Sequence, residues 1–255
     1  MVEKPWGCET LPAPFVAPPG QRVGEVWFEP PHAMPGLLAK YIFTSERLSI
    51  QNHPGGASGK EECWLVIAAQ PGATLGIGFR EPVSPERLRD AALDGSIVDL
   101  MVWHPVKVGD FFHIMPGTVH AIGAGVSLIE VQQANDITFR LYDYGRPREL
   151  HLDSGLAVAL GEAHDPSLRR HVPASGNAQL VEGAHFRLDR IEGRPSAQTL
   201  RRYSGSVLVL PRLGTVSVAG EAVRPGQCAL AASLSEVTLP ARAQALIAQP
   251  TQVNA

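Results

Sequence analysis

The chain has 255 residues, 44% of them hydrophobic and 18% charged, and a net charge of −3; this supports a core of one large or two small domains and argues against a general nucleic-acid binder or a basic membrane-surface protein. Its three cysteines, Cys8, Cys63 and Cys228, are far apart and form no CxxC pair, so neither a disulfide framework nor a thiolate zinc site is expected. The N-terminal MVEKPWGCET has no apolar signal core and no stretch nears the ~20 apolar residues of a membrane span, so a cytoplasmic protein with no membrane partner is expected.

Glycine (25) and proline (22) are scattered along the chain, which favours many short strands and turns over long helices. In chain order, strands are expected at Leu37–Phe43, Leu48–His53, Glu62–Ala68 and Thr74–Phe79. A helix follows in SPERLRDAALDG, where Ser84 can cap, Pro85 suits the first turn and Gly95 suits the stop. Strands resume at Asp110–Ile114, Val126–Gln132 and Asp136–Tyr142. The polar, turn-rich run 161–183 reads as a linker between a domain at 1–160 and a second β unit at 184–255. GASGK at 56–60 is too short for a P-loop, lacks its helix, and reads as a turn, so ATP chemistry is not expected.

A short internal echo links the two halves. VKVGDFF at Val106–Phe112 resembles VRPGQCA at Val223–Ala229. Eleven residues past Gly109 stands His120, whereas eleven past Gly226 stands Val237, so a repeat would lack the histidine in its second copy.

Polar residues cluster in LSIQNHPGGASGKEECW. In a strand Ser49, Gln51 and His53 share a face while Leu48 and Ile50 pack. After the turn, Glu62 and Trp64 share one face, Glu61 and Cys63 the other. Downstream, GDFFHIMPGTVHAIGAG reads as a strand, a Pro-Gly turn and a return strand opened by His120. Two imidazoles, a carboxylate and an amide oxygen form an N/O set that suits zinc, and less distinctively Mn, Fe, Ni or Co. Taken singly each of these residues is ordinarily structural; convergence is what the reading requires. In DITFRLY, Asp136, Thr138, Arg140 and Tyr142 share a face, so a carboxylate and a guanidinium project together, as cavity groups or as a surface ion pair. Glu130 and Gln132 also share a face and read as groups behind a ligand or as solvated strand residues. Lys40, Ser49 and Arg140 are candidates for holding a phosphate.

Four blocks carry a family resemblance: KPWG at Lys4–Gly7, LSIQNHP at Leu48–Pro54, GKEECW at Gly59–Trp64, and the long run Gly109–Arg146. With these the chain resembles class I mannose-6-phosphate isomerases, in particular their short bacterial form, which belongs to the cupin superfamily. The resemblance implies a mainly all-β fold: a cupin jelly-roll β-sandwich with a short helical insertion and a second, smaller degenerate cupin-like β unit. It implies one zinc ion held by Gln51, His53, Glu62 and His120, with Glu62 chosen over Glu61 by the pattern Lys, any residue, Glu. It implies interconversion of mannose 6-phosphate and fructose 6-phosphate through an enediol or enediolate. Arg140 would stabilise the enediolate or the phosphate, and Asp136 or Lys60 would transfer the proton. Asn52, the HPGG that begins at His53 in place of a frequent acidic pair after the Pro, and His113 depart from the family pattern and bear on substrate preference. A cupin acting on another sugar or small molecule, or a non-catalytic sugar-binding module, is the competing expectation; a homo-oligomer is left open.

Overall fold

The computed structural model describes residues 1–56 and 59–251. The chain divides into two compact units: residues 1–11, 17–27 and 40–171, and residues 12–16, 28–39 and from 172 onward. The turn expected at 56–60 includes residues 57 and 58, which lie outside the described residues.

Twelve strands run in chain order through the first part: β1 (Val2–Cys8), β2 (Val23–Phe28), β3 (Leu37–Phe43), β4 (Ile50–Asn52), β5 (Glu62–Ala69), β6 (Thr74–Phe79), β7 (Met101–Pro105), β8 (Asp110–Ile114), β9 (His120–Ile122), β10 (Val126–Gln133), β11 (Phe139–Tyr142) and β12 (Arg169–His171). They form a seven-stranded sheet, β1-β2-β3-β10-β5-β8-β12, and a five-stranded sheet, β11-β4-β9-β6-β7. Ile42, Trp64, Val66, Phe112 and Leu128 of the first sheet form one buried cluster with Leu75, Ile77 and Ile122 of the second. The two sheets therefore enclose a core, as in a sandwich.

The second sheet is apolar on its other face as well. Ile50, Phe79, Ala121 and Leu141 pack there with Leu88, Ala91 and Ala92 of α1 (Pro85–Asp94). The helix forms where its signals lie: Ser84 accepts from the Arg87 N–H, and Gly95 closes it at φ 85°. Strand β6 serves both faces through a bulge. Strict alternation would put Leu75, Ile77 and Phe79 on one side. The register shifts between Gly76 and Phe79, with Gly78 at φ 66°, and Phe79 turns to the helices.

Two expected strands are shorter than their alternation implied. Leu48–His53 pairs only over Ile50–Asn52, and Asp136–Tyr142 only over Phe139–Tyr142. The physical reason in the latter is Asn135, whose Oδ1 accepts from the Ile137 N–H and folds the chain out of the ladder. The run 161–183, expected as a linker, holds β12, which pairs with β8, and a strand Ala178–Glu182, which pairs with Phe186–Glu192.

In the second unit a five-stranded and a three-stranded sheet share a core that includes Val207, Val209 and Ile247 with Val216, Val218 and Val237. The sequence echo has a structural counterpart. Gly109 and Gly226 both sit at positive φ, 93° and 86°. Strand β9 begins at His120 and the strand Val237–Thr238 at the same offset, with buried Val237 in place of the imidazole.

Gly117 sets the turn that delivers His120. Its φ is 81°, and a Cβ there would lie 2.5 Å from the Val158 carbonyl oxygen. Gly117→Ala is expected to cost more than the ~1–2 kcal/mol of a left-handed alanine. Gly20→Ala, at φ 77° with nothing within 4 Å, is expected to cost only that conformational penalty. Thermal unfolding of the two variants checks this; equal melting temperatures would refute the steric account.

Candidate metal centre

Strands β4, β5 and β9 bring three donors together. One ligand atom each from His53, Glu62 and His120 lies within 4.8 Å of the others. His120 Nε2 is 3.4 Å from Glu62 Oε1, and His53 Nε2 is 3.6 Å from Glu62 Oε2. Around a tetrahedral zinc with bonds of ~2.0–2.1 Å, neighbouring donors lie about 3.3 Å apart. The spacing fits.

The tautomers fit too. His53 Nδ1 meets the Ile137 carbonyl at 2.8 Å and His120 Nδ1 meets the Thr118 carbonyl at 2.9 Å. A carbonyl only accepts, so each Nδ1 carries the hydrogen and each Nε2 presents a lone pair to the centre. The folded-out segment after Asn135 thus has a use, since it places the Ile137 carbonyl against His53. Buried His120 Nε2 and Glu62 Oε1 have no hydrogen-bond partner among the described residues. Orphaned acceptors in a dry site are costly unless a cation satisfies them.

Gln51 lies directly opposite His120 across the β4–β9 pairing. Its Oε1 accepts from Ser49 Oγ at 2.9 Å. Both residues line a cavity of about 210 Å³ together with Lys40, Lys60, Asp136 and Arg140. His53, Glu62 and His120 are 1%, 0% and 1% exposed. Lys60, which lines the cavity, touches two of these donors, with Nζ 2.6 Å from Glu62 Oε2 and 3.2 Å from His53 Nε2.

Glu130 ties the remaining charges together. Trp64 Nε1 donates to its Oε2 at 2.9 Å, and its Oε1 lies 3.6 Å from Lys40 Nζ and 3.8 Å from Lys60 Nζ. Burial alone would raise its pKa, but Lys60 and Lys40 outweigh it and hold Glu130 at about 2. For Glu62 burial wins over the pull of Lys60, and the neighbouring Glu130 charge adds to it, pushing the carboxyl up to about 8. Burial opposes the Lys60 charge, yet Glu130 and Glu62 raise its pKa further. Burial drives His53 well below the ordinary imidazole value, with Lys60 adding to it, and drives His120 down to about 4. Two neutral imidazoles beside a carboxylate that is costly to ionise form a set that a divalent cation would complete.

Sequence reading treated some of these residues differently. Lys40, expected as a phosphate candidate, is 2% exposed. It lies between Glu130 and Asp136 (3.3 Å) and 4.0 Å above the Trp27 ring. It lines the cavity with its charge facing these carboxylates. Asp136 pairs with Lys40, not with Arg140, whose Nη1 donates to the Glu149 carbonyl at 2.6 Å. Gln132, opposite Glu62 across the β10–β5 pairing, donates from Nε2 to the Gln133 and Asn135 carbonyls and braces the turn. Glu61 faces away from the donors and accepts from or pairs with His113 Nε2 at 2.8 Å. Glu130, expected either behind a ligand or as a solvated strand residue, is 3% exposed and stands opposite Trp64 in an interior strand. Arg148, which also lines the cavity, carried no local signal.

No family model matches the chain. Over 136 residues it is 40% identical to mannose-6-phosphate isomerase of Streptococcus mutans serotype c, covering 48% of this chain and 43% of that protein. Over 137 residues it is 39% identical to the Bacillus subtilis mannose-6-phosphate isomerase ManA, with the same coverages, 48% and 43%. The alignments thus span less than half of each of these two relatives. Among solved structures, mannose 6-phosphate isomerase from Bacillus subtilis superimposes with a TM-score of 0.72 at 19% identity, over 97% of this chain and 96% of that one. A mannose 6-phosphate isomerase bound with zinc and yttrium superimposes with a TM-score of 0.72 at 13% identity, over 98% and 97%. The chain is homologous to mannose-6-phosphate isomerases over about half its length and shares their mainly β fold along nearly all of it.

Proposed function

We propose that this relative of mannose-6-phosphate isomerases is a metal-dependent aldose–ketose isomerase that interconverts mannose 6-phosphate and fructose 6-phosphate. The observation that carries the reading is the meeting of His53, Glu62 and His120 donor atoms within 4.8 Å, next to Lys60 on a cavity that also holds Arg140.

In this reading His53, Glu62, His120 and Gln51 hold one zinc ion. Such an ion supplies Lewis-acid polarisation of the sugar's carbonyl and hydroxyl oxygens. The remaining chemistry belongs to the chain's own side chains. Isomerisation moves a proton between C1 and C2 through an enediolate, which needs a base at carbon and a proton source at oxygen. Lys60, kept protonated by Glu130 and Glu62, is the oxygen-side acid. On ring opening it gives a proton to the ring oxygen and takes up the anomeric hydroxyl proton, so it is again an ammonium when charge develops on the enediolate oxygens. Asp136, on the cavity wall, is the carbon-side base. Glu130 is a poor one, since two lysines hold it ionised to about pH 2. Trp64, T-shaped against His120 with ring centroids 5.3 Å apart, excludes water behind the donors.

A coupled assay with mannose 6-phosphate tests the proposal. Turnover is expected to vanish on treatment with a chelator and to return with zinc. A protein fully loaded with metal that binds the sugar phosphate and leaves it unchanged would be a binding module instead.

A further inference from the structure

A second cavity, of about 150 Å³, lies wholly within the second unit, lined among others by Asn177, Gln179, Asp189, Gln198, Thr199 and Arg202. Its floor is one face of the paired strands Ala178–Glu182 and Phe186–Glu192, where Gln179 stands directly opposite Asp189. Directly opposed residues share a face, so the amide and the carboxylate point the same way. The short helix Ala197–Arg202 supplies Gln198, Thr199 and Arg202. Arg190 shapes the remaining wall. Its guanidinium donates to the carbonyls of Pro173, Ser175 and Gly176 and so fixes the chain that leads into Asn177.

Polar groups here are left incomplete. Asp189 is 7% exposed, and its Oδ1 is buried with no hydrogen-bond partner among the described residues. Arg202 Nε is buried too and stands 3.2 Å from Asp189 Oδ2 without completing a hydrogen bond. The neighbouring Tyr203 hydroxyl gives its hydrogen to the Ile247 carbonyl at 3.1 Å. Burial raises the Asp189 pKa in spite of the Arg202 charge. A buried acceptor and a buried donor left side by side are costly until a partner satisfies both. A hydroxyl does so, because it accepts from one group while donating to the other. The rim continues the pattern: Asn177 Oδ1 accepts from the Glu192 N–H at 2.8 Å, so its NH₂ is the end left to donate. Charge narrows the choice further. Arg202 is paired with Glu182 and Asp189, so the cavity has no net charge to attract an ion, and its lining is too polar for an apolar guest.

We propose that this cavity binds a neutral polyhydroxyl compound, a free sugar or polyol no larger than a monosaccharide, with one hydroxyl between Asp189 and Arg202 and others on Gln198 and Asn177. The volume is below the ~300–1,000 Å³ of sites for drug-sized ligands, which sets the size limit. The site uses no residue of the metal centre, and it stands whether or not the chain isomerises mannose 6-phosphate.

The test uses the full chain, with D-mannose as probe and inorganic phosphate as an ionic control. Ligand-observed NMR titrations are run on wild type, Asp189→Asn and Gln198→Trp, and metal content and melting temperature are measured on each. Wild type is expected to bind D-mannose with a Kd of about 1–10 mM, the range for a ligand of this size. Asp189→Asn is expected to weaken binding by about tenfold, since a charge-assisted hydrogen bond is lost. Gln198 is exposed on its helix, so a tryptophan there fills the cavity without entering the core. That variant is expected to lose D-mannose binding while its metal content and melting temperature stay those of wild type. Should Asp189→Asn melt early, Gln198→Trp alone decides. Mannose bound at the other cavity would keep its affinity in Gln198→Trp, and that result overturns the proposal. So does an absence of binding to wild type, or phosphate binding that Gln198→Trp abolishes.

Discussion

Glu62→Gln is expected to empty the donor cluster of zinc and to lower kcat/KM for mannose 6-phosphate by at least about a hundredfold. The substitution keeps shape and removes one charge. Two neutral imidazoles and two amides would then face the cation, and no carboxylate would remain among the donors. Glu62 is the group that meets both His53 and His120, at 3.6 and 3.4 Å, so no other side chain replaces it. The adjacent Glu61→Gln provides the contrast. Glu61, just ahead of β5, is equally buried but pairs with His113. That variant is expected to lose stability and keep its metal. Metal analysis of the two purified variants, beside wild type, decides the matter. A Glu62→Gln protein with a full zinc complement would remove the basis of the proposed site.

The second large effect is expected at Lys60. Lys60→Met should retain zinc and lower kcat by roughly a hundredfold to ten-thousandfold, the usual contribution of a positioned acid or base. The ammonium sits 2.6 Å from Glu62 and lines the cavity. It is therefore the proton source nearest to where substrate oxygens must approach. Methionine fills the same volume without a proton to give. Glu130 keeps Lys40 at 3.6 Å and the Trp64 N–H at 2.9 Å, so the variant's interior retains a balanced pair. Metal content and single-turnover kinetics measured together separate this role from a structural one. A variant that loses zinc along with activity would make Lys60 a support of the donors and not an acid.

Much of the fold was legible because each signal was local. The strand ends of Leu37–Phe43, Thr74–Phe79 and Asp110–Ile114 coincide with those expected, as do the cap and stop of α1. Alternation, Ser-Pro and glycine act over a few residues, and nothing distant overrides them there. Where the reading differed, a local side-chain turn or a pairing with a distant strand intervened. Asn135 took the Ile137 N–H out of the ladder, and β1 crosses Pro5 and Gly7 in a stretch that does not look like a strand. The middle of the expected linker became β12 because β8 had a free edge to pair with.

The sequence by itself determined the kinds of groups available to the site and the face on which each one stands. Gln51 and His53 follow from alternation, and His120 from its place after a Pro-Gly turn. Only the tertiary structure decided who meets whom. Side-chain period says which way a residue points, but cross-strand register says what it finds there. Register set Gln51 opposite His120 and Glu130 opposite Trp64. Burial then made their charges interdependent, because Coulomb interactions strengthen as water is excluded. That is why Lys40 belongs to the carboxylates and Glu130 anchors both lysines.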